Sequence, residues 1–270
     1  LYVKENAPAV ATVFTTHATI LGRAMTGAGR DIYQELAKVA PLEEAKQCNV
    51  AAKHSMELTS AREADCFTTV SELTAREAHK LLGAKPAVVT ENGIDITAIA
   101  DYAADRKPAE ESRNRLLAFA REFLGEDVSD TARLVLISGR YEFANKGIDV
   151  FLESLSRVRD QQKDGEQVIA LICVLGPHLE HRIENGQHPS GQQAICTHRL
   201  PDENSDPILR KCLELGIGNQ PGDKLRAIFV PVYLSPGDGV LDMHYYDVLR
   251  GVDLTIFPSQ YEPWGYTPLE

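Results

Sequence analysis

Two cationic residues flank a short loop in the middle of the chain. Arg140 follows the apolar run at residues 134–138, which is too short and too branched for a helix, and Lys146 precedes a helical pattern over residues 147–159. Ligands of open α/β sheets bind beyond the carboxyl ends of the strands. Two interpretations are equally open from this spacing: a phosphate clamp formed by the two cations, and a pair of solvated charges that flank a loop.

A second group of polar residues follows an apolar run at residues 254–257. Glu262 lies in the following loop, and Glu270 comes after it with seven residues between them, a spacing that also arises by chance in an acidic chain. Gly265 allows close approach of the backbone to a ligand, and Thr267, followed by proline, has the pattern of a helix N-cap. The amide groups of such a helix start would face a diphosphate.

Three polar residues of the first half also follow strand-like runs. His17 directly follows the run at residues 11–16, and Arg23 lies six residues after His17. Asn92 lies in the turn after the run at residues 87–90. A packed structural histidine and a plain turn are the ordinary interpretations of these patterns. Because candidates in both halves come at strand ends, two α/β domains that face each other across a cleft are the expected arrangement.

The elements that would position these residues alternate between strands and helices, which indicates parallel α/β structure. Ser71 and Gly83 have the pattern of the N-cap and the C-terminal glycine of one helix. The predicted strands are residues 11–16, 66–70, 87–90, 134–138, 168–175, 227–234 and 254–257. The predicted helices are residues 42–65, 72–82, 101–126, 147–159, 244–250 and one that starts near residue 267.

The length of 270 residues fits two domains. The charged helix at residues 101–126 is the predicted boundary, which gives domains of residues 1–100 and 101–270. The net charge of −11 argues against binding of long nucleic acids, but it does not exclude a local basic pocket. Neither a secretory signal nor a membrane span is predicted. Five widely spaced cysteines without a CxxC pair indicate a reducing, cytoplasmic compartment, and Cys66 and Cys173, which lie in apolar runs, are predicted to be buried.

Residues 176–206 are polar and contain four histidines, so two interpretations arise. A zinc site is one, but the spacings do not match a tetrahedral ligand set. A solvated surface loop is the interpretation that the composition favours. The histidines are His178, His181, His188 and His198.

Four stretches of the chain together resemble a known family: FTTHATILGR, FTTVSELTAREAHKLLGAKPAVVTENGI, SGRYEFANKGIDVFLESL and FPSQYEPWGYTPLE. They are similar to the eukaryotic-type glycogen synthases, the GT3 group of retaining glucosyltransferases. The resemblance covers nearly the whole chain and is weakest at residues 176–222. It implies a GT-B fold, with two Rossmann-like domains whose parallel sheets face a cleft.

The resemblance also implies roles for the residues that match the family motifs. Arg140 and Lys146 match the pair that holds the nucleotide diphosphate. Glu262 matches the acidic residue beside the donor glucose, and Glu270 matches the one nearer the ribose. The catalytic residues implied in this way are Glu262, Arg140, Lys146 and His17.

The other matches concern substrate binding. Gly265, Tyr266 and Thr267 match the loop and helix start whose amides meet the phosphates. Tyr245 matches a position whose ring stacks on uracil, and Tyr233 is a weaker candidate for the same base pocket. The residues that match the glucose pocket of the first domain are His17, Arg23 and Asn92.

The activity implied by the resemblance is transfer of glucose from UDP-glucose to an α-1,4-glucan such as glycogen, without a metal or an organic cofactor. An ADP-glucose-using GT-B synthase and a non-catalytic nucleotide- or glucan-binding module remain alternatives. Family members have a Gly-rich loop upstream and a longer second domain. The chain is therefore expected to be an internal fragment, with residues 1–100 as the end of the first domain and 101–270 as the start of the nucleotide-sugar domain. The full-length enzyme could form a homo-oligomer.

Overall fold

The computed structural model describes residues 2–97, 99, 107–125, 127–161, 166–182 and 195–269. The chain divides into two compact units, one that runs to Ile94 and also includes Ser259–Leu269, and one that comprises Asp95–Pro258. Each unit contains a parallel sheet and helices, so the predicted α/β class is confirmed. The domain roles assigned to residues 1–100 and 101–270 stay predictions.

The first unit contains a three-stranded parallel sheet in the order β1-β2-β3. The strands are β1 (Val13–Thr16), β2 (Cys66–Thr69) and β3 (Val88–Val89). The predicted strands are thus confirmed, with shorter bounds. The helices described in this unit are α1 (Tyr2–Asn6), α2 (Ile20–Gly27), α3 (Ile32–Glu35), a 3₁₀ turn (Leu36–Lys38), α4 (Pro41–Gln47), α5 (Ala51–Glu63), α6 (Glu72–Leu82) and, near the C-terminus, α11 (Tyr266–Leu269).

Local sequence signals explain one helix of this unit and mislead for another. The hydroxyl of Ser71 accepts a hydrogen bond from the Thr74 amide, and Gly83 ends α6 in the left-handed conformation, so the prediction for this helix is confirmed. The single helix predicted over residues 42–65 is wrong. It is broken between α4 and α5, where Asn49 has a φ of 55°, a conformation that a continuous α-helix excludes.

The second unit contains a four-stranded parallel sheet in the order β6-β5-β4-β7. Its strands are β4 (Arg133–Arg140), β5 (Val168–Leu175), β6 (Leu225–Val230) and β7 (Leu254–Thr255). Its helices are α7 (Lys107–Leu124), α8 (Ile148–Arg159), α9 (Pro207–Glu214) and α10 (Tyr245–Gly251). Alternate residues of β4 and β5 pack into two separate apolar clusters, so both faces of the sheet are covered, as parallel sheets require.

The end of the histidine-rich segment is buried, which corrects the prediction of a solvated loop. Residues 195–200 lie beside β6, where the Thr197 amide donates to the carbonyl of Phe229 at 2.9 Å and the Phe229 amide donates to the carbonyl of Ile195 at 2.7 Å. These bonds satisfy the outer edge of β6, which would otherwise be unpaired. His188 lies outside the described residues.

The structure confirms one of the two predictions of a buried cysteine, at Cys173. Cys173, Cys196 and Cys212 are buried, and burial raises the pKa of each thiol to about 12. Cys66, the first residue of β2, is only partly buried, which corrects the prediction that this cysteine is buried. Nowhere in the described part of the chain does a helix have the length and apolar character needed to span a bilayer.

His198 is expected to make the fold sensitive to acid. Its side chain is 6% exposed, and the rings of His178 and His181 each lie 5.0 Å from its ring. Burial, followed by repulsion from these two histidines, lowers its pKa to about 4. Because the unfolded chain then binds more protons, stability is expected to fall as the pH drops from about 6.5 to 4, by at most about 3 kcal/mol from this group.

Chemical unfolding at a series of pH values would test this expectation. His198→Gln should flatten the pH dependence between pH 6.5 and 4. His79→Gln, which alters an exposed histidine in the last turn of α6, serves as the control and should leave the slope unchanged. An equal slope for wild type and His198→Gln would contradict the assignment.

Candidate functional site

The order of strands in the second unit creates a topological switch point beside β4. From β4 the chain continues to β5 and β6 on one side of the sheet and returns to β7 on the other. Ligands of open α/β sheets bind at the carboxyl ends of the strands where the order reverses in this way. Arg140 is the last residue of β4, so the structure places it at this position, with an exposed side chain.

Glu142 organises the loop that follows Arg140. One of its carboxylate oxygens lies 3.8 Å from the Arg140 guanidinium, and the other accepts a hydrogen bond from the Asn145 side-chain amide at 3.0 Å. The carbonyl of Glu142 accepts a hydrogen bond from the Lys146 amide at 2.8 Å. The loop is therefore a folded turn with a defined conformation that carries both predicted cations.

The turn ends at a glycine that the fold requires. Gly147 has a φ of 65°, and a Cβ atom at this position would lie 2.0 Å from the carbonyl oxygen of Pro258. Pro258 follows β7, the strand on the other side of the switch point. The absence of a side chain at Gly147 thus allows the loop that carries Lys146 to contact the backbone after β7.

The two predicted base-binding tyrosines differ in their surroundings. The hydroxyl of Tyr245, at the start of α10, lies 3.1 Å from the hydroxyl of Ser138, two residues before Arg140. The structure therefore brings Tyr245 to the same end of β4 as Arg140. Tyr233 follows β6, which β5 separates from β4, and its side chain is 74% exposed.

In the first unit, His17 and Arg23 belong to one turn and helix after β1. Thr16, buried at the end of the strand, precedes the exposed His17, and Arg23 lies in the first turn of α2. Two bonds to Glu57 hold the turn: the Thr16 hydroxyl donates to its carboxylate at 2.8 Å, and the Ile20 amide donates at 3.0 Å. The predicted position of His17 at the carboxyl end of a strand is confirmed.

Residues 259–269 lie along this same edge of the first sheet. The Tyr261 hydroxyl donates to Glu77 at 2.7 Å, the Ser71 hydroxyl donates to the carbonyl of Pro263 at 2.7 Å, and the Tyr266 hydroxyl donates to the carbonyl of Gly93 at 3.1 Å. Ser71 and Gly93 follow β2 and β3, respectively. The segment is therefore attached at the carboxyl ends of neighbouring strands.

This attachment places Glu262 and Asn92 at one edge of the sheet. Glu262 lies between two of the attached residues, and Asn92 immediately precedes Gly93. Because His17 and Arg23 follow the adjacent strand β1, four of the residues predicted for glucose binding share this edge.

The last predicted helix begins earlier than expected. α11 starts at Tyr266, so Thr267 lies within the helix instead of at its N-cap, and Gly265 precedes the first helical residue with a φ of 93°. A Cβ atom on Gly265 would lie 3.4 Å from the Cγ atom of Glu262, so these two residues are neighbours in the same loop. Glu270 lies outside the described residues.

Sequence reasoning missed several polar residues near these positions. Glu57 and Glu77 are buried, and burial is the main factor that raises the pKa of each carboxyl group. Helical periodicity could have predicted the burial of Glu77, because Thr74 lies three residues before it and Leu81 four residues after it, both on the buried face of α6. The Tyr33 hydroxyl and the Trp264 indole nitrogen are shielded from solvent without a hydrogen-bond partner among the described residues.

The described residues contain no group of three or more histidine, cysteine or acidic side chains placed to hold a metal ion. Among the described histidines of the segment that begins at residue 176, the ring of His198 contacts the rings of His178 and His181. Within the part of the chain that the structure describes, neither unit therefore contains a cluster of such side chains arranged to bind a metal ion.

Comparison with known proteins gives consistent matches along the chain. A family model described as "Glycogen synthase" matches residues 1–187 and 178–270. The chain is 34% identical to the protein named "Glycogen [starch] synthase, liver" of Homo sapiens and 33% identical to its counterpart of Mus musculus, in each case over 97% of this chain and 46% of the relative. It is 30% identical to "Glycogen [starch] synthase isoform 2" of Saccharomyces cerevisiae, over 97% of this chain and 47% of that protein. The chain thus spans about half the length of the curated relatives it matches.

Proposed function

The chain belongs to the glycogen synthase family, and on that basis we propose that it transfers glucose from UDP-glucose to the non-reducing 4-hydroxyl of an α-1,4-glucan, with retention of configuration. The observation that carries this proposal is the pair of cations at the switch point of the second sheet. Arg140 ends β4, and Lys146 lies in the folded turn that follows. A nucleoside diphosphate is the leaving group that two cations at such a position suit best.

In the proposed reaction, the bond between the anomeric carbon of glucose and the β-phosphate oxygen breaks, and negative charge develops on the diphosphate. Arg140 and Lys146 stabilise this charge without a metal ion, since their side chains are permanent donors of charged hydrogen bonds. The 4-hydroxyl of the acceptor attacks the oxocarbenium-like carbon from the same face. Its proton passes to the departing phosphate oxygen, so the new glycosidic bond forms with retention.

The residues at the edge of the first sheet are assigned to the sugar. Glu262 positions the donor glucose and stabilises its developing positive charge, but it is not assigned as a covalent nucleophile. His17, Arg23 and Asn92, which share the edge with Glu262, bind sugar hydroxyls. The unpartnered donors of Tyr33 and Trp264 are suited to the same task, because a buried donor without an acceptor is costly until a ligand supplies one.

The remaining assignments concern the base and the phosphates of the donor. Tyr245, beside Ser138 at the end of β4, stacks on the uracil ring. Gly265 allows its loop to approach the donor closely, and Tyr266 and Thr267 contribute backbone amides. Tyr233 and Glu270 remain assigned to the base and the ribose only by resemblance. The proposed setting is the cytoplasm, with glycogen or another α-1,4-glucan as partner and a homo-oligomer as the assembled enzyme.

Glucose incorporation would test the proposal. The protein is incubated with glycogen and UDP-glucose labelled in the sugar, and the label in precipitated glucan is measured with and without an excess of unlabelled ADP-glucose. We expect label from UDP-glucose to enter the glucan, and we expect the excess of ADP-glucose not to reduce this incorporation. Suppression by ADP-glucose would favour the alternative donor, and UDP binding without incorporation at any enzyme concentration would identify a nucleotide-binding module instead.

A further inference from the structure

Glu77 is a buried carboxylate that accepts hydrogen bonds from residues next to the proposed sugar site. It lies on α6 and is 1% exposed. Its Oε1 atom accepts hydrogen bonds from the hydroxyl groups of Thr19 and Tyr261. These two partners are separated by most of the chain, so Glu77 connects the start of α2 with the segment at residues 259–269.

The contact with Thr19 fixes the beginning of α2. Thr19 is the N-cap of this helix, and its hydroxyl oxygen accepts a hydrogen bond from the Gly22 amide at 2.9 Å while its proton is donated to Glu77. A Cβ atom on Gly22 would lie 2.2 Å from Oε1 of Glu77, so the carboxylate packs directly against the helix backbone. His17 precedes this N-cap, and Arg23 lies in the helical turn that it begins.

The contact with Tyr261 fixes the position of the segment at residues 259–269. Tyr261 is 2% exposed, packs in the apolar cluster of the first unit, and stacks on Tyr33 with ring centroids 6.2 Å apart. Its hydroxyl donates to Glu77 and also interacts with the Thr19 side chain, so these three side chains form one buried hydrogen-bonded cluster. Since Glu262 is the next residue, the position of the Tyr261 ring sets the position of the Glu262 backbone.

A carboxylate is a costly choice for this position if it served packing alone. Burial disfavours its charged form, and the nearby Glu57 carboxylate adds repulsion, so both raise its pKa. Leu81, one turn further along α6, packs in the apolar cluster that also contains Tyr261, and an apolar side chain at position 77 would not carry that cost. What Glu77 provides and an apolar residue would not is an acceptor shared by Thr19 and Tyr261.

We infer that Glu77 is a positioning residue that holds Glu262 in a fixed place relative to His17 and Arg23, through hydrogen bonds to Tyr261 and Thr19. This inference rests on the proposed function of Glu262 for its consequence in catalysis. The positioning itself concerns the first unit alone and has its own readout. Trp264 is the single tryptophan of the chain and lies two residues after Glu262, so its fluorescence reports the position of the segment.

The test compares Tyr261→Phe, Glu77→Gln and Glu77→Ala, with Glu72→Ala as the control. Tyr261→Phe removes one hydroxyl and keeps the ring, Glu77→Gln keeps an acceptor oxygen, and Glu72 is an exposed glutamate on the same helix. Acrylamide quenching of Trp264 is expected to increase in Tyr261→Phe and Glu77→Ala, and to change little in Glu77→Gln and Glu72→Ala. Circular dichroism shows whether each variant is folded, and Tyr261→Phe is the decisive variant should Glu77→Ala fail to fold.

Kinetics separate positioning from general destabilisation. In Tyr261→Phe and Glu77→Ala, kcat is expected to fall about tenfold, as for loss of a buried hydrogen bond, while KM for the donor stays within about twofold. The double variant with Tyr261→Phe and Glu77→Ala should have a kcat no lower than that of the less active single variant, because both changes remove the same contact. Unchanged quenching and unchanged kcat in Tyr261→Phe would overturn the inference. Increased quenching in Tyr261→Phe, combined with a wild-type protein that transfers no glucose, would contradict the proposed function and still support the attachment.

Discussion

Replacement of Arg140 by alanine is expected to lower the turnover of glucose transfer on the order of 100-fold, the usual effect of removing one preorganised group that stabilises charge in a transition state. Arg140 ends β4, and Glu142 holds its guanidinium near the start of the following turn. The charge on the diphosphate grows as the glycosidic bond breaks, so the loss should appear in kcat more than in glucan binding. Initial rates at saturating donor and glucan would measure it.

The matched control is Arg157→Ala, which removes an exposed arginine from the last turn of α8 in the same unit. Its turnover should equal that of wild type. Glucan binding, measured by co-sedimentation, should be nearly equal in both variants. Turnover of Arg140→Ala within a factor of about three of wild type would be incompatible with a role on the leaving group.

Gly147→Ala is expected to destabilise the second unit by about 2 to 5 kcal/mol, because two separate penalties combine. The φ of 65° is unfavourable for any residue with a side chain, and the new Cβ atom would meet the carbonyl oxygen of Pro258 at 2.0 Å. Since that oxygen belongs to the backbone, it cannot rotate away, and the loop or the chain after β7 has to move. Chemical denaturation of the variant would give the change in unfolding free energy.

Gly237→Ala separates the two penalties. Gly237 has a φ of 90°, and no atom lies within 4 Å of a Cβ atom built on it, so this change tests the backbone conformation alone. A loss of about 1 kcal/mol is expected. If both variants lost the same stability, the close approach between Gly147 and Pro258 would not contribute. UDP binding by Gly147→Ala should also weaken, since Lys146 is the preceding residue.

Local chemistry made much of the fold predictable. Ser71 and Gly83 mark the two ends of α6 because capping depends on residues that are close in sequence. The strand over residues 168–175 was predicted with its observed bounds, since a fully buried parallel strand is a continuous apolar run. The positions of His17 and Arg140 at strand ends are predictable from the apolar runs that come before them. Their roles in binding remain predictions.

The features that could not be predicted depend on contacts between distant parts of the chain. Residues 42–65 contain neither glycine nor proline after the start of α4, yet α4 ends at Gln47 and α5 begins at Ala51, with Asn49 between them in the left-handed conformation. His198 looks solvated in a polar sequence, yet its segment covers the edge of β6. Glu77 carries a charge on a helix, which usually indicates solvent exposure, and its burial depends on Tyr261, which is 184 residues away.

The attachment of residues 259–269 to the first unit also determines the order in which that unit can fold. During synthesis the first 94 residues emerge before the second unit, yet Tyr261, which fills the apolar cluster around Leu21 and Met25, is added only after it. Until then Glu77 lacks the Tyr261 donor, and Tyr33 lacks the ring on which it stacks in this cluster. The slowest step in folding of the first unit is therefore expected to be closure of a loop that contains the entire second unit.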